Sequence, residues 1–364
     1  MFSQIDITMP VLGVSTMLIA LPIMAGLVSL IFILLLTPLA QHLRLMDHPD
    51  HRKTHGDAVP MIGGIAIYLV ILSAIIVLDP QDKLFWFMVS LSFLVAVGAL
   101  DDAFGLGVRI RFVSQVLATA VVIAGNSLWI RSLGIDISAI EPVFAWVGIP
   151  LTIFAVIGLT NGFNMVDGID GLASGHMLIG LGSVGITLFA THGSVYQFEW
   201  LIMLMSSVFG FWLVNLSLTP LRRVFLGDAG SLLLGFVMAW TLIYYTQNPI
   251  ALMHPVAALW CVTIPVFDTL IVIARRIKTK RSPFSPDRNH FHHLLVDMGM
   301  NPRMALGLIL ALAATVNAVG IWITYASSPL ISLMVYGLLL AIFGFGMLHP
   351  SIERWLALKL RLID

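Results

Sequence analysis

Residues 84–102 read LFWFMVSLSFLVAVGALDD, an uncharged apolar run that ends in two adjacent aspartates. A run of about 20 mostly apolar residues can cross a lipid bilayer as a helix. Similar runs recur along the whole chain, which has 364 residues, 59% of them hydrophobic and only 10% charged. Because about 25% of the residues of a soluble domain are charged, this composition excludes a soluble enzyme, a nucleic-acid-binding protein and a disordered chain. We therefore expect an all-α polytopic membrane protein.

Eleven apolar segments are predicted to span the membrane. They are 11–40, 61–78, 84–100, 111–130, 145–160, 172–191, 198–217, 231–247, 255–274, 304–326 and 330–349. Lys and Arg concentrate in cytoplasmic loops. With a periplasmic N-terminus and alternating spans, all 19 basic residues except Lys83 and Arg131 lie on the cytoplasmic side. A wrong count would destroy this asymmetry, so we predict eleven spans, a periplasmic N-terminus and a cytoplasmic C-terminus.

The same orientation gathers the polar segments at one face of a single domain, 1–364. The predicted cytoplasmic loops are 41–60, 101–110, 161–171, 218–230 and 275–303. No loop on the opposite side has comparable chemistry, and ionisable groups at membrane edges favour a functional site. The first ten residues lack Lys and Arg, so no secretory signal peptide is expected. Cys261 is the only cysteine, which excludes an internal disulfide framework.

The most specific pattern is NGFNMVDGIDGL at 161–172, where a polar residue recurs at every third position. On a 3₁₀-like turn these side chains would align on one side, whereas on an α-helix they would drift by about 60° per step. The four polar residues are Asn161, Asn164, Asp167 and Asp170. A solvated, capped loop is the alternative, but it has no reason to keep this period.

Two further motifs carry carboxylates. Asp101 and Asp102 repel each other at an apolar boundary unless a cation or a shared proton relieves them; solvation at a helix end is the alternative. FLGDAGS, at 225–231, opens the eighth span and puts Asp228 near a helix N-terminus, where an anion could bind. It lacks the lysine of a phosphate-binding loop, and simple helix capping by Asp228 is the alternative. Asp268, inside the ninth span, is either functional or a buried structural partner.

The segment SPFSPDRNHFHH, at 282–293, combines basic and imidazole groups. His290, His292 and His293, together with Arg276 and Arg288, suit a polyanion because they donate hydrogen bonds to phosphate oxygens. A zinc site is the alternative, although the segment lacks the glutamate of an H-E-x-x-H motif.

These groups together predict a metal-assisted phosphoryl reaction. Carboxylates without thiol ligands select Mg²⁺ or Mn²⁺, and Mg²⁺ usually completes its shell with water and substrate phosphates. The location favours a lipid as one substrate and a soluble nucleotide diphosphate as the other. Exchanging one phosphoanhydride for another requires mostly positioning and charge neutralisation. A secondary transporter is the rival class, but it would place ionisable groups near the midplane, often in two related halves, and neither feature occurs.

Over nearly its whole length the chain resembles the polyprenyl-phosphate N-acetylhexosamine-1-phosphate transferases. The resemblance includes PMIGG at 60–64 and the four motifs described above. It is strongest to the WecA branch, which transfers GlcNAc-1-phosphate from UDP-GlcNAc to undecaprenyl phosphate and releases UMP. The MraY branch, which makes lipid I of peptidoglycan, has three successive histidines where this chain has His290-Phe-His-His293. That branch also has a lysine shortly after the paired aspartates; here Arg109 and Arg111 are the available substitutes.

The resemblance implies roles for matching residues. Asp228 would ligate Mg²⁺ or Mn²⁺, with Asn215 nearby, and one of the paired aspartates would help to deprotonate the lipid phosphate. The candidate metal ligands are Asp228, Asp101 and Asp102. The candidate catalytic residues are Asp101, Asp102, Asp167 and Asp170, the last two also holding the uridine diphosphate. The candidate substrate-binding residues are Asn161, Asn164, Asn215, Phe225, Arg276, Arg288, His290, His292 and His293, with Phe225 stacking on uracil.

The resemblance also implies a cellular setting. The protein would lie in the bacterial inner membrane with its active site on the cytoplasmic face, and would start a cell-surface polysaccharide such as the O-antigen of lipopolysaccharide. Its partners would be UDP-GlcNAc, undecaprenyl phosphate and the lipid bilayer, without nucleic acid. Another donor such as UDP-N-acetylfucosamine stays open. So do a homodimer, the downstream glycan, and the choice between general-base and covalent chemistry.

Overall fold

In the computed structural model, residues 11–48, 58–78, 84–135, 141–192, 199–247, 251–280, 282 and 290–348 are described. These residues form thirteen α-helices and one antiparallel pair of short strands. The helices are α1 (Val11–Leu36), α2 (Gly63–Leu78), α3 (Phe85–Phe104), α4 (Val108–Asn126), α5 (Glu141–Val166), α6 (Leu172–His192), α7 (Glu199–Asn215), α8 (Gly227–Gln247), α9 (Pro255–Trp260), α10 (Thr263–Lys278), α11 (Phe291–Asp297), α12 (Pro302–Ala326) and α13 (Pro329–Leu348). A 3₁₀ turn (Thr37–Leu39) follows α1, and β1 (Met46–Asp47) pairs with β2 (Val59–Pro60).

Eight helices in the described part of the chain are long and apolar enough to cross a membrane: α1, α3, α4, α5, α6, α8, α12 and α13. Shorter apolar helices lie at Gly63–Ile76 and Glu199–Asn215. The outer helices expose large apolar side chains, such as Leu35, Phe154 and Trp322, as expected of a surface that faces lipid. The expected all-α polytopic membrane protein is thereby confirmed. The count of eleven spans and the orientation of the termini stay predictions.

The ninth predicted span, 255–274, is not one helix, and this expectation was wrong. α9 ends at Trp260 and α10 begins at Thr263. The break frees the carbonyl of Cys261, which accepts a hydrogen bond from Nδ2 of Asn317 at 3.2 Å. The Oγ1 of Thr263 donates to the carbonyl of Trp260 at 2.9 Å. Backbone groups freed inside a membrane protein need such partners. The sequence did not indicate the break, because residues 255–274 are mostly apolar.

Three predicted loops are shorter than expected because helices continue into them. α3 runs through Asp101 and Asp102 to Phe104, so only residues 105–107 separate it from α4. Gly105, at φ +67°, ends α3 with its N–H donated to the carbonyl of Asp101. α5 continues to Val166, so residues 161–166 are α-helical and the expected 3₁₀-like arrangement does not extend over them. Within 275–303, the last turn of α10 and all of α11 are helical.

α8 lies at the centre of the fold, with 17 of its 21 residues buried. It packs against α2, α3, α5 and α6. A Cβ atom at Gly98 of α3 would collide with the backbone of Ala229, and one at Gly64 of α2 would collide with the backbone of Gly230. Small residues allow such close approach between membrane helices. The N-terminus of α8 is therefore fixed where α2 and α3 meet it.

Candidate active site

Asp102 caps the N-terminus of α8 from a neighbouring helix. Its Oδ1 accepts the backbone N–H of Asp228 at 2.8 Å, and its Oδ2 accepts that of Ala229 at 3.1 Å. The first N–H groups of a helix lack partners within the helix and form the positive end of its dipole, so a carboxylate is well suited to this position. Gly227 has φ +72°, and a Cβ there would collide with Asp102. The carboxylate of Asp102 thus packs directly against the first residues of α8.

The guanidinium group of Arg111 contacts the carboxylates of both Asp101 and Asp228. Nη1 of Arg111 is 2.9 Å from Oδ2 of Asp101 and 3.3 Å from Oδ2 of Asp228. Nδ2 of Asn164 donates to Oδ1 of Asp228 at 2.6 Å and to Oγ of Ser231 at 2.8 Å. Side chains from α3, α4, α5 and α8 therefore meet at one point, which we call the acidic centre: Asp101, Arg111, Asn164 and Asp228.

Asn161 lies one helical turn before Asn164 and braces the acidic centre. Its Nδ2 donates to Oε1 of Gln115 at 2.7 Å and to the carbonyl of Ile157 at 2.8 Å. Gln115 is buried on α4, so the amide pair ties α4 to α5. Sequence reasoning missed Gln115, although a glutamine within an apolar span was a usable signal.

Asp167 and Asp170 lie on the turn between α5 and α6. Asp170 forms an ion pair with Nη1 of Arg223 at 2.8 Å, and the Arg223 guanidinium lies 4.9 Å from the ring centre of Phe225. The side chain of Asp167 is exposed on this turn, although many protein atoms lie near its carboxyl group. This desolvation, followed by repulsion from Asp228, Asp170 and Asp102, raises the pKa of Asp167 to about 8. Arg223 is a second residue that sequence reasoning missed.

Asn215 joins this turn to the segment that leads into α8. Its Oδ1 accepts the N–H of Gly171 at 2.6 Å, and its Nδ2 donates to the carbonyl of Val224 at 2.9 Å. Nε1 of Trp212 donates to the carbonyl of Gly171 at 3.0 Å. Asn215 is buried, and backbone atoms engage both of its polar groups, so it holds the site together rather than facing the cleft.

The PMIGG segment, residues 60–64, supports the approach to α8 through backbone bonds. The N–H of Phe225 donates to the carbonyl of Pro60 at 2.8 Å, and the N–H of Gly63 donates to the carbonyl of Phe225 at 2.9 Å. The N–H of Gly64 donates to the carbonyl of Leu226 at 3.0 Å. These bonds position Phe225 and the N-terminus of α8.

The histidines form a second cluster around α11. Nδ1 of His290 lies 2.8 Å from Oδ2 of Asp268, and the N–H of Phe291 donates to Oδ1 of Asp268 at 2.9 Å. Asp268 is therefore a buried partner that orients His290 and caps α11. The rings of His290 and His292 are nearly parallel with centroids 5.9 Å apart, and those of His292 and His293 are 4.1 Å apart.

His292 connects this cluster to the turn between α5 and α6. A Cβ at Gly168 would collide with Nε2 of His292, so the two residues are in close contact. Burial, followed by the nearby His293, His290 and His176, lowers the pKa of His292 to about 3, and its imidazole is neutral. His176, buried on α6, is a third residue that sequence reasoning missed; a lone histidine in an apolar span was its only signal.

Two arginines lie near the end of α10, the helix that also carries Asp268. Arg276 is buried in the last turn of α10, and Arg275 beside it donates to the carbonyl of Met347 at 3.4 Å. Arg288 lies outside the described residues.

The acidic centre is the best candidate for a divalent cation. Among the described residues there is no ready-made cluster of three or more His, Cys, Asp or Glu side chains. The acidic centre instead offers two carboxylates and one amide, with the guanidinium group of Arg111 in contact with both carboxylates. Such a partial set fits Mg²⁺, which usually takes one or two carboxylates and completes its shell with water and substrate phosphates.

Comparisons with known proteins identify the family. Residues 84–246, which run from α3 to α8, match the model described as glycosyl transferase family 4. The chain is similar to an undecaprenyl-phosphate alpha-N-acetylglucosaminyl 1-phosphate transferase from Yersinia pestis, with 37% identity over 295 residues, 80% of each chain. It is 35% identical to the protein of that name from Escherichia coli K12 over 342 residues, 93% of this chain and 91% of the relative. The Haemophilus influenzae protein of that name is 32% identical over 292 residues, 79% of this chain and 82% of the relative. The chain therefore belongs to glycosyl transferase family 4, as a membrane phospho-sugar transferase that is related to the polyprenyl-phosphate enzymes.

Proposed function

We propose that the protein transfers GlcNAc-1-phosphate from UDP-GlcNAc to undecaprenyl phosphate, giving undecaprenyl-diphosphate-GlcNAc and UMP. The relatives are named as undecaprenyl-phosphate alpha-N-acetylglucosaminyl 1-phosphate transferases. The observation that carries the proposal is the acidic centre, where charged and amide groups from four helices meet at helix ends. A lipid phosphate held at the membrane surface and a soluble nucleotide can both reach such a position. The product would start a cell-surface polysaccharide.

The reaction replaces one phosphoanhydride with another. An oxygen of the lipid phosphate attacks the phosphorus that carries the sugar, the bond to the bridging oxygen breaks, and UMP leaves with that oxygen. The second pKa of a phosphate monoester is about 6, so the attacking oxygen is mostly deprotonated at neutral pH. The protein therefore has to position and neutralise phosphates more than it has to remove a proton. Arg111 and Arg223 are placed to supply positive charge.

A bound Mg²⁺ or Mn²⁺ would supply further charge neutralisation at the diphosphate. Asp228 and Asp101 would hold it, with the amide of Asn164 beside them, since hard oxygen donors suit these ions. Asp102 already accepts two backbone N–H groups of α8, so we assign it mainly to positioning the helix that carries Asp228.

The turn bearing Asp167 and Asp170 and the histidine cluster would form the donor side of the site. Neutral His292 can donate or accept a hydrogen bond without attracting a second anion. Phe225, half-buried beside Arg223, would stack on the uracil. His290, His293, Arg276 and Arg288 would bind the phosphates or the sugar.

We place the site on the cytoplasmic face of the bacterial inner membrane. Arg111 and Arg223 form ion pairs with aspartates of the site. Arginines at one membrane face favour a cytoplasmic position.

The test is UMP release by the purified protein from a panel of UDP-sugars, with and without undecaprenyl phosphate. We expect release from UDP-GlcNAc that depends on the lipid. The variant Asp228→Asn should lose most of this activity, whereas Asp297→Asn, at an exposed position in α11, is the matched control. Faster release from UDP-N-acetylfucosamine would change the donor. Lipid-independent release, or none from any donor, would overturn the proposal.

A further inference from the structure

We propose that Arg111 is a built-in counter-cation of the acidic centre, which a divalent ion has to displace before it can bind. The inference rests on the proposed function, because that function is what makes a divalent ion relevant. One nitrogen, Nη1 of Arg111, contacts Oδ2 of both Asp101 and Asp228, at 2.9 Å and 3.3 Å. The guanidinium therefore contacts the same two oxygen atoms that an ion bridging the carboxylates would bind.

The remaining oxygen of Asp228 leaves little room for a different arrangement. Its Oδ1 already accepts the amide of Asn164 at 2.6 Å, so Oδ2 is the oxygen more open to an ion. Mg²⁺ binds oxygen at about 2.0–2.1 Å, and an ion that close to Oδ2 would meet the positive guanidinium. Arginine and the ion are thus alternatives at the same oxygen atoms.

The side chain of Arg111 is more exposed than the Asp101 carboxylate that it contacts. Its side chain is 27% exposed, whereas that of Asp101 is 4% exposed. It lies on the first turns of α4, just after the short connection 105–107, and a Cβ at Gly105 or Gly107 would meet nothing within 4 Å. Asp101 is buried and Oδ1 of Asp228 is held by Asn164, whereas the side chain of Arg111 is partly exposed.

Displacement would give the guanidinium a second role. Arginine binds phosphate oxygens through paired hydrogen bonds, and the diphosphate of the donor has to approach the ion. Arg111 would then move from carboxylates to substrate when the ion arrives, so that ion binding and donor binding reinforce each other. The alternative is a permanent structural ion pair, in which Arg111 stays and the ion binds elsewhere.

The test measures Mn²⁺ binding without turnover, by the loss of the electron paramagnetic resonance signal of free Mn²⁺. Removing one positive charge a few ångströms from the ion should make Arg111→Gln bind Mn²⁺ about tenfold more tightly than the wild type. The matched control is Arg109→Gln, the same charge change on the same helix at an exposed position, and it should leave the affinity unchanged. Equal or weaker binding by Arg111→Gln would overturn the proposal.

A second measurement uses the wild-type protein and needs no variant. Phenylglyoxal modifies accessible arginines, and mass spectrometry of the peptides reports the extent at each one. Mn²⁺ without donor should raise the modification of Arg111, while Arg109 serves as an internal standard that is modified equally in both conditions. Unchanged or reduced modification of Arg111 would show a permanent ion pair. Neither measurement depends on which sugar the enzyme transfers, so failure here is distinct from failure of the proposed function.

Discussion

The two adjacent aspartates are expected to differ in what they do, and Asp102→Asn tests this. In the native protein, both oxygens of Asp102 accept backbone N–H groups at the start of α8. Asparagine keeps one acceptor but turns an NH₂ group toward the other N–H. The change removes one hydrogen bond to a charged group, worth about 1.5–3 kcal/mol, and weakens the favourable interaction with the helix dipole by about 0.3–1 kcal/mol. We expect a loss of about 2–4 kcal/mol in the free energy of unfolding.

Asp101→Asn is the matched control, since it changes the neighbouring residue in the same way. It removes one contact of Arg111, which keeps its contact with Asp228. It also lessens the repulsion between the neighbouring carboxylates of Asp101 and Asp102. Its effect on stability should be smaller than that of Asp102→Asn, because Arg111 is partly exposed and the change also removes the cost of burying a charge at Asp101. Reversible unfolding in mixed micelles, followed by circular dichroism, compares the two variants. Equal losses of stability, or a larger loss for Asp101→Asn, would refute the assignment of Asp102 to capping.

Three further changes probe other parts of the site. Gly168→Ala places a methyl group against His292, and displacement of the histidine cluster should lower kcat/KM for UDP-GlcNAc by roughly 100-fold. The control is Gly158→Ala, where a Cβ meets nothing within 4 Å. Equal activities of the two variants would contradict the contact between Gly168 and His292. Asn215→Ala leaves the N–H of Gly171 and the carbonyl of Val224 unpaired. At about 1–3 kcal/mol per group, the free energy of unfolding should fall by about 2–6 kcal/mol. A smaller loss on denaturant unfolding would mean that water replaces the amide. Because the pKa of Asp167 is raised from 3.8 to about 8, its ionisation destabilises the native protein progressively between those pH values, so Asp167→Asn should be more stable than the wild type at pH 8 and similar to it near pH 4. A stability difference that is independent of pH would argue against the raised pKa.

Composition was sufficient to predict the class of protein. An apolar run such as 84–100 has to satisfy its backbone hydrogen bonds internally, and in lipid only a helix or a closed barrel does so. The apolar segments therefore predicted helices, and the structure has helices there. The structure also brings together Asp101, Asn164 and Asp228, which the charge asymmetry had assigned to one face. Their roles in catalysis stay predictions.

The sequence was less informative about which atoms pair. The pattern at 161–172 suggested one polar turn, but Asn161 and Asn164 belong to the last turns of α5. Polar side chains near a helix end can form hydrogen bonds to neighbouring helices without ending the helix. The break in the ninth span was hidden for a related reason. The partner of the freed carbonyl, Asn317, lies 56 positions away, and nothing local marks the pair. Arg223, Gln115 and His176 were missed because each acts through contacts that only the packed helices create.

The glycine contacts beneath the acidic centre have a consequence for inhibitors. Gly98 and Gly64 face the backbone of Ala229 and Gly230 without room for a methyl group, and substitution at either position would push α8 away from its neighbours. A compound that binds beside Asp228, at the start of α8, would meet a helix terminus whose supporting glycines tolerate few replacements. Resistance mutations would then have to arise at side chains that do not support α8, where a change removes fewer of the compound's contacts.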